Sequence, residues 1–110
     1  MTVHAGMASG RWWTLSLADQ LANAGADVGR AIRAKALGDD VRFMAAFDRS
    51  LELLDLTMAD PRWVGPRLRE IARMREVVCD FLVGDNVYES TPASLDGYFM
   101  AFALASRRDR

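Results

Sequence analysis

The chain has 110 residues, 51% of them hydrophobic and 26% charged, with a formal net charge of -1. That length suits one domain with a single core, and that apolar content is well above what disordered sequences carry. The near-neutral balance argues against nucleic acid, whose phosphates call for a basic excess, and a single cysteine, Cys79, excludes an internal disulfide.

Residues 1–11, "MTVHAGMASGR", are expected to be a flexible tail; they hold His4, the only histidine, and lack the apolar stretch of a secretory signal. From Leu17 the apolar positions Leu21, Ala24, Val28 and Ile32 recur at helical spacing, with Ser16 or Thr14 as cap and Gly38 as stop. Beside this stripe Ala18, Ala22, Gly25 and Gly29 form a ridge of small residues. Two interior glycines cost about 1 kcal/mol each relative to alanine, so tight packing against another element is expected there, with a ligand-admitting groove as the alternative. A second helix over about 41–59 carries Phe43, Phe47, Leu51, Leu54 and Met58 on one face, while Leu53 and Leu56 fall outside it and make the helix apolar nearly all round. "ADPRWVGP" breaks the pattern, and Pro66, suited to a first helical position, opens a third helix ending near Gly84. Its buried stripe is expected at Leu68, Ile71, Val78 and Leu82. After "GDNVYESTP", Thr91 caps and Pro92 opens a fourth helix carrying Leu95, Tyr98, Phe99 and Phe102. Four helices with short connections predict an all-α, up-and-down antiparallel four-helix bundle over residues 12–106, with a C-terminal tail at 107–110. No apolar run approaches the roughly 20 residues of a membrane span, so a cytoplasmic chain without a membrane partner is expected.

The histidine count removes a His-bearing triad and a di-iron bundle with two Glu-x-x-His motifs. The glycines form neither a Walker loop nor a dinucleotide fingerprint, and no cysteine cluster suggests zinc. Cys79 reads as a small core-edge residue, without a second thiol to resolve oxidation. Carboxylates are the remaining chemical lead. Glu52 and Asp55 share one face of the second helix, and Glu76 and Asp80 one face of the third, so four oxygens from two helices could hold Mg²⁺ with room for substrate phosphates. The same wheel places Glu76 and Asp80 with Arg69 and Arg73, opposite the apolar stripe, which reads as a solvated face laced by ion pairs. Arg75 falls between Ile71, Val78 and Leu82, where a charge needs a partner. Asp48, Asp55 and Asp27 are the candidates, and the expected product is a partly buried ion pair that fixes helix register.

The acidic pairs faintly resemble the Glu-x-x-Glu and Glu-x-x-Asp signatures of all-helical nucleotide pyrophosphohydrolases of the MazG type, although this chain reads "LELLD" and "EVVCD". "SLADQLANAGADVGRAI", "RSLELLDLTMAD", "REVVCDFLVGDNVYES" and "YFMAFALASR" together resemble a group of small bacterial all-helical proteins without an established activity. A broader analogy is the HEPN-type bundle, whose ribonucleases use an Arg-x4-6-His motif; no histidine follows any arginine here. The expected function is accordingly a non-enzymatic module that self-associates, as a homodimer, or binds another protein. Leu53 and Leu56 are its expected interface; no cofactor is expected. Trp12, Trp13 and Trp63 lie just outside helices, where they either seal the bundle ends or anchor an interface. The alternative is a Mg-dependent hydrolase of a nucleotide or another phosphorylated small molecule using Glu52, Asp55, Glu76 and Asp80.

Overall fold

The computed structural model describes residues 10–108, so the expected N-terminal tail and His4 lie outside the described residues up to residue 9. After a helical turn at 10–12, four helices follow: α1 (Leu17–Ala36), α2 (Asp40–Met58), α3 (Pro66–Val83) and α4 (Pro92–Arg108). The described residues contain no strand, and the chain is all-α. The last helix takes in residues 107 and 108, the start of the expected C-terminal tail. None of the described helices is long and apolar enough to cross a membrane.

Local chemistry sets these boundaries. The Ser16 hydroxyl accepts from the Asp19 amide at 3.1 Å, and Asp39 accepts from Arg42 at 3.1 Å, each satisfying a backbone donor that the first helical turn leaves free. Gly38, at a φ of 71°, supplies the left-handed residue that ends α1. Thr91 and Ser94 cap α4 reciprocally, each hydroxyl accepting from the other's amide, at 2.8 and 3.0 Å.

The central element is α1, which packs along α2 and α4 and touches α3; α3 packs against α2. Leu17, Leu21, Ala24, Val28 and Ala31 of α1 meet Phe47, Leu53 and Leu54, then Ile71, Met74, Val78 and Leu82, then Phe99 in one continuous core. Full burial of a leucine or isoleucine such as Leu21, Leu54 or Ile71 contributes roughly 1.5–3 kcal/mol. At the open end of α1, Lys35 Nζ donates to the Leu82 carbonyl and lies 5.8 Å from the Phe43 ring centroid, joining three helices. Between α3 and α4, Tyr98 donates to Glu70 at 3.0 Å. Burial first, then that carboxylate, push the phenol pKa up to about 12, so Tyr98 remains a donor across the neutral range.

The small-residue ridge of α1 resolves into separate roles. Ala18 is buried, whereas Gly25 lies under the Phe99 side chain, whose Cδ1, Cγ and Cβ stand 3.2–3.4 Å from where a Cβ would be. It is a side chain of α4, not a second backbone, that exploits this glycine. At Gly29 a Cβ would meet only the end of Arg33, at 3.4 Å. Gly29→Ala should therefore raise the stability measured by urea unfolding by about 0.5–1 kcal/mol through helix propensity, while Gly25→Ala should lose that gain to the displaced Phe99 ring.

Candidate functional site

The four carboxylates read as a metal cage do not converge. Asp55 is engaged by Arg75, Glu76 accepts from the Tyr88 hydroxyl at 3.2 Å, and Glu52 lines the groove between α1 and α2. Asp80 is structural, since its two oxygens accept the backbone amides of Val87 and Tyr88 at 2.8 and 3.0 Å and fold the 85–90 loop back onto α3. Among the described residues no three His, Cys, Asp or Glu side chains are grouped as a metal site requires. Cys79 is half-buried, and burial pushes its thiol up against the opposing influence of the Arg75 guanidinium, so it is not poised as a thiolate.

Arg75 pairs with Asp55 through Nε–Oδ1 at 2.7 Å and, more weakly, Nη2–Oδ2 at 3.5 Å. That carboxylate raises the guanidinium pKa further, with burial opposing. Of the other candidate partners, Asp27 is held by Arg30 at 2.8 Å, and Asp48 is exposed on the α1–α2 groove. Ile71, Val78 and Leu82 of the expected α3 stripe are buried, and Leu68 is half-buried. Met74 and Val77 are buried with them, which turns the stripe away from Arg75 and leaves that residue at its edge, with side chains 35% and 54% exposed in the Arg75–Asp55 pair. The expected ion pair thus forms with Asp55 and with Arg75 half-buried, but Asp55 is exposed and the contribution is near that of a surface pair. Arg75→Ala should cost about 0.5–1 kcal/mol in thermal unfolding, slightly more than Arg73→Ala and far below the loss for a buried pair.

Leu53 and Leu56 are likewise not a free face. Leu53 is 5% exposed within the core, and Leu56 packs half-buried against it. The helix is apolar on two sides because it lies between α1 and α3 and beneath the segment before α1. That segment is pinned by its tryptophans. Trp12 Nε1 donates to Thr57 Oγ1 at 3.0 Å, and Trp13 Nε1 to the Leu56 carbonyl at 2.8 Å, one of the acceptors left over where α2 ends.

Around them lies a polar cluster that sequence inspection did not single out. Gln20 and Asp60 are 0% and 1% exposed. Gln20 Nε2 donates to the Trp12 carbonyl at 2.9 Å and to Asp60 Oδ2 at 3.0 Å, while its Oε1 accepts from Trp63 Nε1 at 2.8 Å. Arg62 closes the network, donating to Asp60 Oδ2 at 2.7 Å and to the Leu15 carbonyl at 2.6 Å, with its guanidinium 4.4 Å from the Trp63 ring centroid. Burial alone would raise the Asp60 carboxyl pKa, but hydrogen bonds from Arg62 and Gln20 outweigh it and hold the group below the ordinary carboxylate value. No buried side-chain polar atom among the described residues lacks a partner. All three tryptophans thus donate inward and seal one end of the fold.

One surface with unspent recognition capacity is the α1–α2 groove, of about 740 Å³. Leu37, Ala34, Ala45 and Ala46 supply apolar lining, and arginines and carboxylates from both helices flank it. Leu37 in its lining is 83% exposed, and Val41, one residue into α2, is 82% exposed. Val41, Ala45, Asp48 and Glu52 recur at four- and three-residue steps, a stripe legible in the sequence once α2 is phased on its core face. Comparison of this chain with protein-family models, with curated proteins and with solved structures gives no match.

Proposed function

We propose that this chain is a cytoplasmic, non-enzymatic helical module, an up-and-down bundle of the kind its sequence resembles, that works by associating through the face formed by α1 and α2. The observation that carries this reading is the pair of large apolar residues, Leu37 and Val41, held almost fully in water beside a groove with apolar lining and a charged rim. Such a rim around an apolar centre is the anatomy of an interface. Three of the four carboxylates that a phosphohydrolase would use are engaged by Arg75, by Tyr88 and by the 85–90 loop, and the fourth, Glu52, lies apart on the α1–α2 groove. Titration with Mg²⁺ and Mn²⁺ in a calorimeter, beside a hydrolysis assay over a nucleotide panel, tests the reading. Neither saturable metal heat nor turnover is expected; turnover abolished by Glu76→Gln would replace the module with an enzyme.

A further inference from the structure

The groove between α1 and α2 carries more charge than it pairs. Arg30 and Arg42 are each held by the aspartate three residues before them, at 2.8 and 3.5 Å, and Arg49 reaches Asp27 at 3.9 Å. Arg33, Asp48 and Glu52 line the same groove, and among the described residues their side chains make no ion pair or hydrogen bond.

Their placement along the groove is not random. The short turn at Gly38 and the Asp27–Arg49 contact set α1 and α2 antiparallel, with Arg33 level with about Phe43. At 1.5 Å per residue, Asp48 and Glu52 lie about 7 and 13 Å farther from the turn. Unpaired positive charge therefore sits toward the turn and unpaired negative charge away from it. A surface patterned in this way is complementary to itself after a half-turn about an axis across the groove.

Ala45 and Ala46 occupy the stretch between the two charges, where small side chains let two helices approach. We infer that the α1–α2 groove is the interface between two copies of this chain, related by a twofold axis near Ala45. Arg33 of each copy then meets the Asp48–Glu52 pair of the other, and Leu37 and Val41 leave water. An isologous pairing of this kind is the commonest closed assembly, and complementary charge fixes its register. The inference rests on the interaction-module reading above and names its partner.

Light scattering and sedimentation of the full chain supply the test. The parent protein should run at twice its 12.2 kDa chain mass. Arg33→Glu alone, and Asp48→Arg with Glu52→Arg, should each run at the chain mass with the parent's helical circular dichroism. In an equal mixture of those two variants every contact is again between opposite charges, and the doubled mass should return. A parent protein that stays at the chain mass at its highest workable concentration overturns the inference. So does an Arg33→Glu protein that still doubles, or a mixture that does not. Nucleotide turnover would remove the module reading whatever the mass, so the two can fail separately.

Discussion

Leu53→Glu should unfold this protein rather than leave a folded chain with an altered association. The side chain is 5% exposed, packed in the core that joins α1, α2 and α3. Removing a buried leucine costs about 2–5 kcal/mol, and a carboxylate in its place adds desolvation, so the total loss should exceed about 4 kcal/mol. Against the roughly 5–15 kcal/mol typical of a domain, that is most of the stability available. Circular dichroism should show the helices lost or melting far earlier. By contrast Leu37→Glu, at a residue 83% exposed, should fold as the parent does. A Leu53→Glu protein that is fully helical and merely lighter in solution would return Leu53 to an interface.

The second large effect is expected at Asp60. Its carboxylate organises Gln20, Arg62 and, through Gln20, Trp63. Asp60→Ala should cost about 3 kcal/mol, the lower end of the range for breaking a buried pair, because the Arg62 side chain is 41% exposed and can turn toward water. Tryptophan fluorescence, to which Trp12, Trp13 and Trp63 all contribute from that end, should report its loosening in the same variant. The pH dependence has a defined sign. Because the folded carboxyl titrates below the ordinary value of 3.8, its contribution is complete above that pH and is lost as pH falls through the folded value. The stability difference between the parent and Asp60→Asn should be constant well above pH 3.8 and shrink below it. A difference that grows on acidification would mean that Asp60 is destabilising as a carboxylate.

Arg62→Ala provides an internal control on the same network. It strips the buried carboxylate of its cation, so its cost should be largest near neutrality and diminish where protonation neutralises Asp60.

Helix positions were legible because their signals are local. A cap satisfies amides within three residues, as Ser16, Asp39 and Thr91 do, and a proline or glycine acts on its own φ, as Pro66 and Gly38 do. The periodic apolar stripes of α1, α2 and α4 fell on the faces that are buried for the same reason. What stayed open was which distant neighbours meet: Asp55 was one of three candidate partners for Arg75, and inward-turned tryptophans one of two readings. The phase of α3 could be drawn through Arg75 or through Met74, and only docking against α1 and α2 decides for Met74.

The sequence by itself thus determined that the chain is helical and, to within a few residues, where its helices lie, and that one histidine and one cysteine leave no cluster of either. Tertiary structure alone decided that Leu53 is core, that Asp55 rather than Asp48 or Asp27 takes Arg75, and that Gln20 and Asp60 are buried together. Those outcomes rest on contacts across 20 residues for Arg75 and Asp55, 40 for Gln20 and Asp60, and 45 for Trp12 and Thr57. A polar residue carries no mark of whether a partner that far away will meet it, because burial is a property of the packed assembly and not of the helix that bears the residue.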